Sequence, residues 1–332
     1  MKVERKIKIL LVSMLVLVFA LVAGCGQKTS SDGKSQGAAS DRFPNKPITL
    51  ICPYDAGGGS DQVTRFLASI AEKELGVPIN VVNMPGGSGA TGYAELTKRE
   101  PDGYTLCTTT STIVTHKLLG NLDVNHRDYE LVFGYNYEPA AIGVNASRGW
   151  NTLEDFVKYC KENPGKVSMG TSAFGGIWNI ATHAAMPVLG VQWNVVPAGG
   201  GGAQPVVQAA GGKIDAVTAS PLEMNAQVQA GKLKILAVMS DERLESFPDI
   251  PTFKELGYDL SVTTTRAIIA PKGTPQDRIK VLYEAFAKAA ASQKYKDFLK
   301  TQGSGWMSED GEAMLKYYDE QEKEFEKILK QK

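Results

Sequence analysis

The chain has 332 residues, with 36 lysines and arginines against 36 aspartates and glutamates, and 43% of its residues are hydrophobic. These proportions are those of a globular protein and exclude a disordered or collagen-like chain. Zero net charge without a basic cluster argues against nucleic acid as the main partner, and three histidines and four cysteines leave little material for a metal site.

The first 24 residues have the pattern of an export signal. Basic residues precede a nearly continuous apolar run over 9–23, which is too short for a comfortable membrane span. The run LVAGC at 21–25 resembles a bacterial lipobox, in which the cysteine is lipidated and the chain is cut before it. The alternatives are a plain secretory signal and an N-terminal span with a chance cysteine. We predict a signal peptide over 1–24, lipidation of Cys25 and an extracytoplasmic location at the cell membrane.

Residues 25–42 are predicted to form a flexible tether. Small and polar residues dominate this segment, and it cannot bury enough apolar surface to offset the entropy of ordering it. Beyond it, Cys52, Cys107 and Cys160 are predicted to be buried free thiols. Export permits a disulfide, and Cys52–Cys107 is the pair to consider.

The body of the chain alternates predicted strands with predicted helices. The strands are expected at 48–53, 79–82, 104–108, 167–170, 192–196, 214–218, 233–238 and 266–270. The helices are expected at 60–75, 92–98, 153–162, 177–189, 203–210, 222–230, 276–291 and 309–330. This order predicts two α/β lobes with parallel sheets, and a ligand crevice beyond the carboxyl ends of the strands.

Two strand-to-helix loops are rich in glycine. They read YDAGGGSD at 54–61 and GTSAFGG at 170–176. Glycine lets the backbone approach a ligand, and the N–H groups at the start of the following helix favour a carboxylate or phosphate. Either loop alone could be a tight turn, but one in each lobe predicts an anion-binding cleft.

Other motifs give little support to an enzyme. The segment GSGATG at 87–92 fits the dinucleotide pattern G-x-G-x-x-G, but it follows the second strand, so we interpret it as a cleft-lining loop or a turn. His116, His126 and His183 are scattered, and no G-x-S-x-G elbow joins a predicted strand to a predicted helix. We predict no catalytic residue, no metal and no cofactor.

A series of short motifs resembles the Bug family, the substrate-binding proteins of tripartite tricarboxylate transporters. The motifs cover nearly all of the chain after the tether. They are FPNKPITL at 43–50, PYDAGGGSD at 53–61, NMPGGSG at 83–89, PDGYTL at 101–106, GTS at 170–172, GGKID at 211–215, AGKLK at 230–234, PDIPT at 248–252 and APKGTP at 270–275.

The resemblance implies a type II periplasmic-binding-protein fold, with two lobes of mostly parallel sheets joined by crossing strands. Lobe 1 would comprise 43–142 and 264–332, and lobe 2 would comprise 143–263. Backbone amides of the two glycine-rich loops would hold one ligand carboxylate. The predicted ligand-binding residues are Tyr54, Ala56, Gly57, Gly58, Ser60, Thr171, Ser172, Ala173, Phe174, Asn179, Ser220 and Arg266.

Four departures from the family pattern concern the ligand. Asp55 replaces a common proline, Asn179 a histidine and Arg266 an aromatic residue. The usual Tyr-Lys after Val-Pro is replaced by Ala198-Gly199, where a run of four glycines over 199–202 begins. Arg266 could bind a second ligand carboxylate or form an interlobe salt bridge, for example with Asp55. If Asp55 instead faces the ligand, an ammonium group is expected there, which would favour an amino acid over citrate.

The predicted function is that of a monomeric, lipid-anchored solute receptor. It would capture a small carboxylate such as a di- or tricarboxylate or an acidic amino acid, close by a hinge motion and deliver the ligand to a membrane permease. One alternative is a receptor of the same fold that signals to a membrane sensor kinase. A secreted enzyme is the third interpretation.

Overall fold

The computed structural model describes residues 42–330. The predicted signal peptide, the lipidation of Cys25 and nearly all of the tether therefore lie outside the described residues. Within 42–330, no helix is both long enough and apolar enough to cross a membrane.

Two separate sheets form the framework, and the α/β class is confirmed. Their strands are β1 (Ile48–Cys52), β2 (Ile79–Asn83), β3 (Thr105–Thr110), β4 (Tyr129–Pro139), β5 (Ala141–Asn145), β6 (Ser168–Thr171), β7 (Asn194–Pro197), β8 (Ala216–Ala219), β9 (Leu233–Val238), β10 (Thr263–Pro271) and β11 (Gly305–Asp310). The first sheet has the order β11-β4-β10-β3-β1-β2, and the second has the order β7-β6-β8-β5-β9.

The sheets are mixed rather than mostly parallel. β1 pairs in parallel with β2 and β3, and β6 does so with β7 and β8. In contrast, β10 runs antiparallel to β3 and β4, β11 to β4, and β5 to β8 and β9. The sequence patterns did not predict β4, β5 or β11, and these strands carry most of the antiparallel pairing. β4 is buried on both faces over most of its length, so it lacks the alternation by which a half-exposed strand is recognised.

Helices cover both sheets. They are α1 (Gly59–Leu75), α2 (Ala90–Leu96), α3 (Thr115–Leu118), α4 (Leu153–Glu162), α5 (Ile177–Leu189), α6 (Ala203–Ala210), α7 (Pro221–Gln229), α8 (Gln276–Ala291), α9 (Gln293–Gln302) and α10 (Gly311–Lys330). The sequence predicted all but the short α3 and α9, and the last helix begins at Gly311 rather than at 309 because 305–310 pairs as β11.

The first helix shows how local signals position a cleft-facing element. Gly58 lies in extended backbone at its N-cap, and Gly76, in the left-handed conformation, ends it by donating its N–H to the Glu72 carbonyl. Its face containing Val63 and Leu67 packs into the core of the first sheet. The start of α1 is thereby held directly after β1.

The chain passes between the sheets through hydrogen-bonded segments. Ala140 separates β4 from β5, and its N–H donates to the Val262 carbonyl just before β10. The Ala140 carbonyl accepts from Met239, and Val262 donates to the Met239 carbonyl. The chain crosses from the first sheet to the second between β4 and β5 and returns between β9 and β10. These two connections are therefore hydrogen-bonded to each other.

The three cysteines after the tether are free and buried. Cys52 and Cys107 lie in the neighbouring strands β1 and β3, but they form no disulfide. The free-thiol prediction is confirmed.

Candidate functional site

A narrow cleft lies between the two sheets. It is lined by residues that follow the carboxyl ends of β1, β3, β6, β7 and β8, together with two residues of β10, as expected for a binding crevice in α/β sheets. The lining residues are Tyr54, Asp55, Gly58, Gly59, Ser60, Thr110, Thr112, Ser172, Gly176, Ile177, Trp178, Gly200, Gly201, Ala203, Glu223, Thr264 and Arg266. The cavity measures about 30 Å³, which is room for roughly two water molecules. The cleft is therefore closed in this structure.

The first glycine-rich loop forms one wall through part of its length. Gly58 and Ser60 line the cleft, whereas Ala56 and Gly57 are exposed and do not. The N–H of Gly57, which has a φ of +77°, donates to the Asp61 carboxylate at 2.9 Å and is used within the loop. The start of α1 is thus the part of this loop that faces the cleft.

Tyr54 lines the cleft, but its hydroxyl is not free to bind a ligand. Its buried OH group is 2.8 Å from the Tyr93 hydroxyl, 2.6 Å from Thr110 Oγ1 and 2.9 Å from Thr112 Oγ1. Burial raises the pKa of Tyr54 well above its ordinary value. Its hydroxyl is therefore neutral and already has three partners.

The second glycine-rich loop forms the opposite wall. Ser172 lines the cleft, and its Oγ accepts a hydrogen bond from the backbone N–H of Asn179 at 3.2 Å. Asn179 is buried at the start of α5, outside the cleft lining. Its Oδ1 accepts a hydrogen bond from the Gly175 N–H at 3.4 Å and so holds the loop in place. Phe174 is 53% exposed and lies outside the lining.

The remaining predicted residues of this wall support it from outside the cavity. Thr171 is buried, and Ala173 donates its N–H to the Gly199 carbonyl at 3.2 Å. The Ala173 carbonyl accepts from Ser88 Oγ at 3.3 Å. Ser88 belongs to the GSGATG segment, which therefore meets the second wall at the cleft.

Arg266 lies in the cleft but is already paired, and its partner is Glu138. Nη1 and Nη2 donate to the two carboxylate oxygens of Glu138 at 2.5 and 3.1 Å, and Nε donates to Ser60 Oγ at 2.8 Å. Both charged side chains are buried. Burial lowers the pKa of the Arg266 guanidinium, but the attraction of Glu138 outweighs this effect and raises it.

The salt bridge considered between Arg266 and Asp55 does not form. Asp55 Oδ2 instead accepts the N–H of Gly200 at 2.9 Å. This hydrogen bond connects the loop after β1 with the glycine run after β7, and hence the two walls.

Glu223 is a cleft residue that the sequence analysis did not predict. It and Ser220 form a capping box at the start of α7, a local signal that S-P-L-E carries in the sequence. Its Oε1 also accepts the Gly202 N–H at 3.0 Å. Burial raises the pKa of Glu223, and nearby Glu138 acts in the same direction. Ser220 itself is buried outside the lining.

The site is chemically suited to holding a polar ligand. The first turns of α1 and α5 face it from opposite walls, and first-turn amides have no carbonyl partner within their own helix. In residues 42–330, no group of three histidine, cysteine or acidic side chains could hold a metal ion.

Comparisons with known proteins point to one family. The model of the family described as "Tripartite tricarboxylate transporter family receptor" matches residues 63–332. Protein BugT of Bordetella pertussis is 29% identical over 289 residues, which are 86% of this chain and 88% of that protein. A TctC solute-binding protein from Polaromonas, solved with no ligand, is 35% identical with a TM-score of 0.66, over 88% of this chain and 100% of that one. An R. palustris structure with adipate has a TM-score of 0.84 at 23% identity, over 87% of this chain and 98% of that one, and shares the fold.

Proposed function

The chain belongs to the tripartite tricarboxylate transporter family of receptors, and from this we propose that it is an extracytoplasmic lipoprotein that captures a small carboxylate between its sheets and delivers it to the transporter's permease. The family inferred from the sequence motifs is thereby confirmed. The ligand, the lipid anchor and the permease belong to the proposal.

The observation that supports binding in this cleft is the opposition of two helix starts across it. Gly59 and Ser60 begin α1 on one wall, and Ile177 and Trp178 begin α5 on the other. Each helix start attracts an anion through free N–H groups and the helix dipole. A carboxylate held between them would contact both walls at once.

Ligand entry requires the two walls to separate. The closed cavity of about 30 Å³ is too small for a dicarboxylate. We infer that the lobe built on the first sheet and the lobe built on the second sheet move as units about the two connections near Ala140, Met239 and Val262. A ligand that contacts both walls binds the closed form better than the open one, and this difference drives closure.

Isothermal calorimetry with di- and tricarboxylates, amino acids and aromatic acids tests the proposal. We expect a dissociation constant of about 1 μM or lower for at least one of these ligands, near −8 kcal/mol. Ala203→Trp should abolish binding, because the Ala203 side chain lines the cleft and faces Gly58 of the opposite wall. Ala226→Trp, on the exposed face of α7, is the matched control and should bind normally. The absence of cleft-dependent binding across the panel would contradict the proposal.

Delivery to a permease is tested in cells. Deleting the gene should abolish uptake of the ligand that calorimetry identifies, and the full chain should restore it. Cys25→Ser should restore it poorly, because an unanchored receptor is lost from the membrane surface. Unchanged uptake after deletion would contradict the transport role.

A further inference from the structure

We propose that the ligand is a small zwitterion, whose carboxylate lies at the starts of α1 and α5 and whose ammonium group lies between Asp55 and Glu223. The inference rests on the proposed function, because it names the ligand class of the same cleft.

The first argument is the charge of the cleft. Among the described residues that line it, Asp55, Glu223 and Arg266 are the charged ones. The Arg266 guanidinium is neutralised by the bidentate ion pair with Glu138, which lies behind it. The carboxylates of Asp55 and Glu223 therefore have no cation of the cleft lining left to balance them. A dicarboxylate would add like charge to a partly dehydrated space, where charges are poorly screened, whereas an ammonium group would compensate it.

The second argument is the position of the two carboxylates. Asp55 and Glu223 come from opposite walls, yet they accept N–H groups from Gly200 and Gly202, two residues apart in one short loop. Gly202 permits this approach, because a Cβ there would overlap Glu223 Oε2. A carboxylate has about four acceptor positions and an ammonium group has three donors, so one ammonium group can bind both side chains without displacing the amides.

The third argument is an unsatisfied hydroxyl. Thr264 lines the cleft and is 1% exposed, and its Oγ1 has no hydrogen-bond partner among the described residues. Buried hydroxyls without a partner are unusual in folded proteins. This hydroxyl indicates that the cleft is built to receive a polar group.

Three pairs of ligands with matched chain lengths test the inference by calorimetry: succinate and β-alanine, glutarate and 4-aminobutyrate, and adipate and 5-aminopentanoate. Within each pair an ammonium group replaces one carboxylate. We expect the zwitterion to bind about tenfold or more tightly than the diacid for at least one chain length. Alkylamines of the same lengths, which lack the carboxylate, should bind about tenfold more weakly than that zwitterion.

Two variants test the residues. Asp55→Asn and Glu223→Gln should each reduce zwitterion affinity by about tenfold or more and lower the ratio of zwitterion to diacid affinity. Asp259→Asn and Glu284→Gln, both exposed and outside the cleft lining, should leave that ratio unchanged. Because the ratio is measured within each protein, partial loss of folded material does not alter it.

The results separate this inference from the proposed function. Tighter binding of the diacids, or an unchanged ratio in both cleft variants, overturns the zwitterion inference and leaves the receptor function supported. The absence of binding by either series and by the wider panel of acids overturns both.

Discussion

Asp55 and Gly200 join the two walls of the cleft, because the Asp55 carboxylate after β1 accepts the N–H of Gly200 after β7 at 2.9 Å. The two residues are 145 positions apart in the chain. A carboxylate of the protein therefore contributes to holding the cleft closed, and the glycine run over 199–202 supplies the amide that it uses.

Removing this carboxylate should loosen the glycine run. In Asp55→Ala, amide hydrogen exchange at Gly200 should accelerate roughly 10- to 100-fold, because a hydrogen bond to a charged group contributes about 1.5–3 kcal/mol. Exchange measured by NMR or mass spectrometry checks this. Asp259→Ala changes an exposed carboxylate and should leave Gly200 unaffected. Equal exchange rates in both variants would show that the contact does not hold the loop.

The buried pair of Arg266 and Glu138 should be costly to break. Glu138→Gln leaves an unpaired guanidinium in the interior and should lower the free energy of unfolding by about 3–5 kcal/mol, measured with urea. Adding Arg266→Met should recover much of that loss, because it removes the uncompensated charge. Glu255→Gln disrupts the exposed ion pair with Arg243 and should change stability much less. Equal losses of unfolding free energy in Glu138→Gln and Glu255→Gln would show that burial does not make the Arg266–Glu138 pair costly to break.

His116 should make stability depend on pH. It is 1% exposed beside Tyr93, and burial lowers its pKa from 6.5 to about 4. Between these values the unfolded chain binds more protons than the folded one, so stability rises with pH. The contribution, about 3 kcal/mol, is complete above pH 6.5 and is lost as the pH falls towards 4. Urea unfolding across this range should show a flatter pH dependence for His116→Leu; parallel curves for the variant and the parent would contradict the assignment.

The three buried cysteines should be unreactive until the protein unfolds. Burial raises the pKa of Cys52 to about 12 and that of Cys160 to about 11, and it raises that of Cys107 as well. Because the thiolate is the reactive form, a chain with Cys25→Ser should react negligibly with a thiol reagent when native. In denaturant it should show all three thiols without a reductant. Finding one thiol would instead reveal a Cys52–Cys107 disulfide.

Much of the fold could be predicted because its signals are local. Helices such as α5 and α8 follow their predicted bounds, because each has helical periodicity and is bordered by a glycine or proline that the sequence shows directly. β4 and β5 were missed, because a strand buried on both faces has no alternating pattern. β11 was missed because its mostly polar segment pairs with β4, a distant part of the chain.

The residues predicted for the site also differ in how far local sequence could place them. Gly58, Ser60 and Ser172 were predicted and do line the cleft, because a glycine-rich turn between a strand and a helix is readable in sequence. Asn179 and Ser220 lie outside the lining, and their side chains hydrogen-bond to backbone N–H groups at the helix starts. Ala56, Gly57 and Phe174 lie towards solvent in the closed form.

The amino-acid order by itself determined where strands and helices alternate and which turns can present amides, because these properties depend on neighbours within a few residues. Tertiary structure decided the charge of the cleft. Pairing of β4 with β10 places Glu138 opposite Thr264 and within reach of Arg266, 128 positions away. Folding of the second sheet brings Glu223 to Gly202. Coulombic interactions depend on distance in space, so a one-dimensional pattern could not show which charges would meet.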